Sequence, residues 1–268
     1  MTEKELEDVI ALLNNVHDFD FAGYSKASLK RRFEGLMHKF FLSVFDLKAK
    51  IINEPNFLNH LVNDITVNVT EMFRDADFFK SVKNNVIPYI NSYQRIKVWN
   101  AGVATGEELY SFSILFKDSK IYDKSFFYGT DINTKVLKEA KAGIYDLNKM
   151  KAFAQNYSEV KLTKPFSDYF TVQYDHAIVI AELRKNCLFS VHNLDSDGVF
   201  NEFQLVICRN VLIYFNLELQ NKVLKLLMDS LCIFGFLCLG SKEVIRNEEL
   251  QKRLKIIDKK QNIYQRIS

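Results

Sequence analysis

Leu205-Val206-Ile207-Cys208-Arg209-Asn210-Val211-Leu212-Ile213-Tyr214-Phe215 is an apolar run that passes directly into polar residues, at the point where a buried strand ends. In an open α/β sheet, ligands bind beyond the carboxyl ends of the parallel strands. Arg209, Asn210 and Tyr214 are therefore predicted to project into a crevice that carries chemistry. The stretch indicates a mainly parallel sheet with a ligand site at one edge.

Two earlier stretches follow the same order of apolar strand, polar turn and helix. They are Val98-Trp99-Asn100-Ala101-Gly102-Val103-Ala104-Thr105-Gly106-Glu107-Glu108 and Phe126-Phe127-Tyr128-Gly129-Thr130-Asp131-Ile132-Asn133. Because the carboxyl ends of parallel strands meet at one edge of a sheet, we expect the three strand ends to converge on one ligand.

The pattern of apolar residues changes along the chain. Residues 1 to about 65 have apolar residues at helical spacing and no strand pattern. From Ile96 onward, short apolar runs alternate with amphipathic segments, which is typical of βαβ units. The predicted helices of this part are Glu107–Phe116, Thr134–Ala142 and Leu217–Leu231. We therefore expect a helical N-terminal part and an α/β part.

Residues 146–186 interrupt this alternation. Two short runs, Tyr169–Gln173 and Ala177–Ile180, predict an antiparallel hairpin around residues 174–176, and thus a small inserted β-subdomain. The main sheet is expected to resume with three strands and to close with a fourth at an edge; these are Leu188–Val191, Gln204–Cys208, Phe236–Leu239 and Ile263–Ile267.

Composition excludes several classes of protein. The chain has 268 residues, 48% of them hydrophobic and 26% charged, which is ordinary for a soluble globular protein. It shows no signal peptide and no apolar run long enough to span a bilayer, so a cytoplasmic location is expected. The four cysteines form no CxxC pair, so reduced thiols and no metal site are predicted.

Charge is unevenly distributed. The net charge of +3 is too small to indicate a nucleic-acid partner, but residues 24–50 carry a local charge of +5. The basic residues of this span are Lys26, Lys30, Arg31, Arg32, Lys39, Lys48 and Lys50. An acidic partner surface would be attracted there.

The glycine-containing turn indicates the kind of ligand. Gly102 and Gly106 would let the backbone pass close to a ligand. Their GxxxG spacing differs from the GxGxxG of dinucleotide sites, and Glu107 and Glu108 would repel a pyrophosphate at this helix N-terminus. A nucleoside without phosphates is therefore favoured. The alternative is that the two glutamates only complement the helix dipole.

Asp131 ends the second strand, where a carboxylate can accept hydrogen bonds from both hydroxyls of a ribose. The alternative is that Asp131 caps the helix predicted from Thr134. Asn133 or Thr134 would serve better as that cap, because they stand closer to the first helical turn.

Together with Asn68-Val69-Thr70-Glu71-Met72-Phe73-Arg74-Asp75, these segments resemble the CheR-type chemotaxis methyltransferases, which esterify chemoreceptor glutamates with S-adenosylmethionine. Four motifs occur in the family's order, and the likeness spans nearly the whole chain. The resemblance implies a Rossmann-like class I methyltransferase domain at 66–268, with the β-subdomain inserted at 146–186. It also implies a receptor-docking helical domain at 1–65.

The resemblance also implies roles for single residues. Arg74 and Tyr214 would lie at the reacting centre, Asn193 and Leu194 would frame the adenine, and His192 would be structural. The residues expected to contact S-adenosylmethionine, or its product S-adenosylhomocysteine, are Asn68, Thr70, Arg74, Gly102, Glu107, Glu108, Asp131, Asn193, Leu194, Arg209 and Asn210. Met72 replaces the usual phenylalanine of the family, and Val103-Ala104 occupies the glycine loop; both departures conserve apolar bulk.

Partners follow from the same resemblance. The acidic methylation helices of a receptor would dock on Lys26, Lys30, Arg31 and Arg32, and the enzyme would act as a monomer. Some members of the family also bind a C-terminal receptor peptide at the β-subdomain. The turn between Thr171 and Ala177 is short and lacks glycine, which argues against such a tether here.

Other interpretations stay open at this stage. The acceptor could be another protein or a small carboxylic acid, although the basic helix argues against the small molecule. The chain could instead be a non-catalytic module that binds the cofactor or its product. Arg74 could pair with Asp75 or Asp77 on the surface, and Tyr214 could be a core aromatic residue.

Overall fold

The computed structural model describes residues 1–17, 19–54, 56–65 and 70–268. The chain divides into two compact units, one formed by Met1–Val67 and Ile213–Lys222, the other by Asn68–Leu212 and Val223–Ser268. Backbone bonds hold the second segment of the first unit: Ser25 N donates to Tyr214 O at 2.8 Å, and Asn216 N donates to Gly23 O at 2.8 Å. Tyr214 is therefore held by the N-terminal unit, an arrangement that no local sequence pattern indicates.

Four helices form most of the first unit. Their apolar faces pack together through residues such as Leu13, Phe33 and Leu61, which are fully buried. The helix α3 begins with a capping box, in which Ser43 and Asp46 satisfy each other's backbone N–H groups. The predicted helical character of this region is confirmed. The helices are α1 (Glu3–His17), α2 (Lys26–Lys39), α3 (Val44–Asn53) and α4 (Phe57–Ile65).

Strands of the second unit form two sheets within the described residues. The larger has seven strands in the order β6-β2-β1-β7-β8-β10-β9, and the smaller has three in the order β3-β5-β4. The strands are β1 (Ile96–Ala101), β2 (Ser125–Asp131), β3 (Ile144–Asp146), β4 (Phe170–Gln173), β5 (His176–Val179), β6 (Cys187–Val191), β7 (Phe203–Cys208), β8 (Leu231–Leu239), β9 (Leu254–Asp258) and β10 (Ile263–Arg266).

The five strands from β6 to β8 in this order are parallel, whereas β10 pairs antiparallel with both β8 and β9. The expectation that the last strand closes the sheet at an edge is wrong. That strand, β10, lies inside the sheet, because β9, which the sequence pattern did not reveal, pairs along its outer side.

Helices connect and flank the strands. The helix predicted over Thr134–Ala142 has those bounds, the one predicted to end at Phe116 continues to Asp118, and the one predicted to reach Leu231 ends at Asp229. The remaining helices carry the chain into and around the sheets. In order they are α5 (Ala76–Asn85), α6 (Ile87–Ile90), α7 (Glu107–Asp118), α8 (Thr134–Ala142), α9 (Leu147–Val160), α10 (Ala181–Arg184), α11 (Leu217–Asp229) and α12 (Glu248–Lys252).

The smaller sheet is the predicted antiparallel β-subdomain. Its hairpin turns through Tyr174 and Asp175, and His176 already belongs to β5. The sheet has one more strand than predicted, because β3 pairs with β5, and the 14-residue helix α9 separates β3 from β4.

The order of the parallel strands places the ligand crevice. The chain runs from β1 to β2 on one side, and β7 lies on the other side of β1, so the strand order reverses there. In doubly wound sheets such a switch point opens a crevice at the carboxyl ends of the strands. All six residues of β7 are buried, as expected for a central parallel strand. Among the described residues, no helix has the length and apolar character that crossing a membrane requires.

Candidate active site

The turn after β1 wraps around the end of β2. Gly102 N and Val103 N both donate to Thr130 O, at 2.8 and 2.9 Å. Gly102 and Gly106 have φ values of +73° and +91°, which favour glycine. A Cβ on Gly102 would collide with Val211 Cγ2, and one on Gly106 would lie 3.0 Å from the Ala140 Cβ. The glycines are thus required by the fold itself, through backbone conformation and close packing.

Asp131 is held rigidly at the end of β2. Its Oδ2 accepts from Ala104 N at 3.0 Å and its Oδ1 from Asn133 N at 2.9 Å. Burial raises the pKa of Asp131, and the backbone N–H groups oppose that rise. The helix cap is Asn133, whose Oδ1 accepts from Lys135 N and Val136 N. Each Asp131 oxygen keeps a second lone pair, so the predicted hydrogen bonds from ribose hydroxyls stay chemically possible.

The side chains of Glu107 and Glu108 have different hydrogen-bond partners. Glu107 is only 1% exposed and accepts from Thr105 Oγ1 at 2.5 Å, and burial raises its pKa. Glu108 accepts from Asn100 Nδ2 at 2.9 Å and from Arg209 Nη1 at 2.6 Å. Both glutamates lie in the first turn of α7, where a negative charge complements the helix dipole, but each also has a side-chain hydrogen bond, so the dipole is not their only partner.

Arg209 is the buried centre of a network of charged side chains. Its Nη1 bonds Glu108 and its Nη2 bonds Asp75 Oδ2, each at 2.6 Å, and its Cζ lies 3.9 Å from the Phe78 ring centre. Burial disfavours the charged guanidinium, but the two carboxylates outweigh it and raise the pKa of Arg209. Both terminal nitrogens have protein partners, so this geometry suits a residue that joins helix α7 to the turn at Asp75. Its cofactor contact stays a prediction.

Arg74 lies on a turn with two strained residues. Phe73 and Asp75 both have positive φ, +54° and +61°, although neither is glycine. Phe73 is fully buried and its N–H donates to Ser111 Oγ at 2.9 Å, whereas Arg74 is exposed. Such strain persists where surrounding structure enforces it, and it clusters at functional sites. Contacts of Phe73 and Asp75 therefore fix both sides of the turn, and the Arg74 side chain lies exposed between them.

The surface-pair alternative for Arg74 is not realised among the described residues. Asp75 pairs with Arg209, and Asp77 pairs with Lys80 at 2.8 Å. No ion pair of Arg74 occurs in the part of the chain that the structure describes. The side chain is also exposed.

The loop after β6 carries the predicted adenine contacts. Asn193 Oδ1 accepts from Asp195 N at 3.0 Å, which shapes the turn, and Leu194 is 9% exposed. His192 packs on Trp99, with ring centres 5.3 Å apart, and its Nε2 lies 3.2 Å from Gly198 O. These contacts give the loop a defined shape at the end of β6.

The other predicted site residues have different placements. Thr70 is half-buried at the start of the Arg74 turn, and Asn210 adopts φ +61° in the turn after β7. Tyr214 belongs to the first unit, where it is half-buried. Asn68 lies outside the described residues.

Sequence reasoning missed several residues of this site. The sequence predicts Asp75 only as a partner of Arg74, and it predicts no role for Asn100. The amide of Asn100 is 2% exposed, and its Oδ1 has no hydrogen-bond donor among the described residues. A polar residue inside an otherwise apolar strand was the available signal for Asn100. Tyr145, which donates to Thr105 O at 2.9 Å, gave no signal.

These residues fit S-adenosylmethionine. The ligand carries a sulfonium and an ammonium, and Arg209 neutralises only one of the two carboxylates that it bonds. Asp131 at the end of β2 and Glu107 at the start of α7 add further negative charge, and Asn100 Oδ1 is a buried acceptor for which the described residues offer no donor. A cationic nucleoside is therefore favoured by charge and by the oriented Asp131 carboxylate.

Replacing Asp131 with asparagine is expected to weaken S-adenosylhomocysteine binding about 10- to 100-fold, since hydrogen bonds to a charged group contribute about 1.5–3 kcal/mol. Isothermal titration calorimetry measures this. The matched control is Asp123→Asn, whose side chain is 79% exposed and pairs only loosely with Lys185. Equal affinities of the two variants for S-adenosylhomocysteine would show that Asp131 does not bind the cofactor.

Comparison with known proteins agrees with this geometry. A family profile described as "CheR methyltransferase, SAM binding domain" matches residues 68–262. A Pseudomonas putida protein called "Putative methyltransferase Cher3" is 40% identical over 266 residues, which cover 99% of this chain and 97% of the relative. A "Chemotaxis protein methyltransferase" of Listeria monocytogenes is 28% identical, covering 85% of each chain. "Chemotaxis protein methyltransferase 1" of Pseudomonas aeruginosa is 30% identical, covering 76% of this chain and 77% of the relative. The chain therefore belongs to the CheR methyltransferase family, and S-adenosylmethionine is its cofactor.

Proposed function

We propose that this methyltransferase converts glutamate side chains on the cytoplasmic helices of chemoreceptors into methyl esters. The observation that carries the proposal is the exposed Arg74 guanidinium, presented by a strained turn whose neighbour Asp75 is bonded to the Arg209 network. A guanidinium is suited to grip a carboxylate by two hydrogen bonds. The names of the Listeria and Pseudomonas aeruginosa relatives support the chemotaxis assignment.

The chemistry requires positioning more than acid–base catalysis. A glutamate is already ionised near neutral pH, with a reference pKa of about 4.3, so no base is needed to activate it. When bound, S-adenosylmethionine supplies an electrophilic methyl group. Arg74 would orient the acceptor carboxylate toward that methyl. The resemblance also implies a role for Tyr214 in the reaction, and this stays a prediction. Water must be excluded because it screens the aligned charges.

The surface of α2 supports an acidic protein acceptor. Lys26 pairs with Glu7 at 2.5 Å, whereas Lys30, Arg31 and Arg32 form no ion pair within the described ranges. The Nε of Arg32 is buried and has no partner there. A groove of about 330 Å³ lies on this face; its lining is Arg31, Arg32, Gly35, Leu36, Lys39 and Asp64. The uncompensated charge on α2 therefore favours docking of an acidic helix by Arg31 and Arg32 more than by Lys26.

Action without a receptor tether is part of the proposal. The β4–β5 turn consists of Tyr174 and Asp175 alone, with no glycine and no longer loop. This short turn supports an enzyme that recognises its acceptor through the methylated region itself.

The decisive experiment incubates the purified chain with S-adenosylmethionine and a chemoreceptor cytoplasmic fragment, followed by peptide mass spectrometry before and after mild alkali. We expect added methyl groups on glutamates that alkali removes, because esters are hydrolysed and N-methyl groups are not. A fragment with alanine at the modified positions is the control. Alkali-stable methyl groups would identify a different acceptor chemistry. Absence of methylation, with S-adenosylhomocysteine still bound, would favour a non-catalytic module.

A further inference from the structure

Glu243 is a buried carboxylate whose contacts lie in the turn after β7. It is 3% exposed and stands shortly after β8. Its Oε1 accepts from Val211 N and Leu212 N, each at 2.8 Å, and its Oε2 accepts from Gly240 N at 2.5 Å. One side chain thus satisfies three backbone N–H groups from two separate turns.

The turn after β7 depends on such an acceptor. Strand pairing ends at Cys208, and Asn210 adopts φ +61°, so the N–H groups of Val211 and Leu212 have no place in the sheet ladder. Buried backbone N–H groups require a partner. Glu243 provides one atom for both, which also favours the left-handed conformation of Asn210.

A carboxylate is better suited to this place than an amide. Burial raises the pKa of Glu243, and the backbone N–H groups of both turns oppose the rise. A glutamine would offer one accepting oxygen, and its NH₂ would face either Gly240 N–H or the N–H pair of the other turn. The glutamine NH₂ and a backbone N–H are both donors and cannot bond each other. Glutamine, although equal in size to glutamate, therefore cannot hold both turns.

The turn that Glu243 holds contains residues of the predicted cofactor site and packs against others. It carries Arg209, which bonds Glu108 and Asp75, and Val211, whose Cγ2 occupies the space beside Gly102. A shift of the turn would therefore disturb the glycine turn as well. Asn262 holds the other side, since its Nδ2 donates to Gly240 O at 2.8 Å and to Glu243 O at 3.0 Å.

We infer that Glu243 is a positioning residue for cofactor binding, which sets the conformation of the turn after β7 without itself contacting the cofactor. The inference depends on the cofactor alone, so it is independent of the acceptor proposed above.

The test is the affinity of the full chain for S-adenosylhomocysteine, measured by calorimetry well below the melting temperature of each variant. Glu243→Gln is expected to bind at least about 30-fold more weakly, whereas Glu249→Gln, whose carboxylate is 79% exposed and pairs with Lys252, should bind normally. A residue that is merely structural would lower the melting temperature and leave the dissociation constant of the folded protein unchanged.

A second variant covers the case in which Glu243→Gln does not fold. Asn262 has φ +51°, so Asn262→Gly removes the amide while suiting the backbone conformation. It is expected to weaken S-adenosylhomocysteine binding about threefold to tenfold. A folded Glu243→Gln with an affinity within about twofold of the original chain would overturn the inference. An unfolded Glu243→Gln together with unchanged binding by Asn262→Gly would overturn it as well.

Discussion

Replacing Arg74 with alanine is expected to lower the rate of methyl transfer about 100- to 1000-fold, while S-adenosylhomocysteine affinity changes only a few-fold. The magnitude is that of losing the alignment of the acceptor carboxylate with the methyl group, where a misplacement of about 1 Å can cost about 100-fold in rate. Arg74 is exposed and has no ion pair among the described residues, so its removal should leave the buried network intact. Single-turnover rates at saturating cofactor, read by mass spectrometry of the receptor fragment, measure the effect.

Two further variants make this result specific. Arg74→Lys keeps the charge but loses the planar fork, so an intermediate rate is expected. Arg95→Ala removes another exposed arginine of the same unit and should leave the rate unchanged. If Arg74→Ala retained more than about one third of the rate, the guanidinium would not orient the acceptor, and the proposed role would have to be abandoned.

Replacing Arg209 with leucine is expected to reduce the free energy of unfolding by about 3–5 kcal/mol, because removing one partner of a buried ion pair leaves the other charge uncompensated. The arginine side chain is 3% exposed, and that of Glu108 is 15% exposed. Asp75 is 46% exposed and can be solvated, so Glu108 accounts for most of the loss. Urea denaturation, monitored by circular dichroism, measures the change.

The chain offers a control variant for this prediction and a test of the energetic coupling between Arg209 and Glu108. Arg253→Leu removes an arginine that is 28% exposed and pairs with Asp229 at 3.2 Å, so a loss below about 1 kcal/mol is expected. Combining Arg209→Leu with Glu108→Leu should recover part of the stability, since a buried pair can be replaced by apolar residues at little cost. A loss under about 1 kcal/mol for Arg209→Leu alone would show that the network is not stabilising.

Local signals in the sequence were sufficient for several elements of the fold. The helix Thr134–Ala142 was predicted with correct bounds, because Asn133 caps its start and Gly143, with φ +63°, ends it. The polar residues near the ends of β1, β2 and β7 were correctly assigned to strand ends. This was possible because the change from apolar to polar residues occurs within a few neighbouring positions of the sequence.

Pairing between distant parts of the chain was not predictable in the same way. The position of β10 depends on β9 lying along its outer side, and β9 is too short and too charged to stand out. Strand order in a sheet depends on which strand edges meet in space. The residues of β10 alone do not indicate which strands pair with it.

The sequence by itself determined the types of elements, the parallel sheet, and the polar residues Arg209 and Asp131 at its carboxyl edge. Only the tertiary structure decided what those residues do there. Arg209 is predicted from the sequence to project into the crevice, but Asp75, 134 positions away, and Glu108, 101 positions away, occupy its two terminal nitrogens. Glu243 has no role predicted from the sequence, because the N–H groups that it binds lie about 30 positions upstream. The reason is physical: periodicity and capping act over one or two turns of chain, whereas buried charges and N–H groups take whichever partner the fold brings within 3 Å of them.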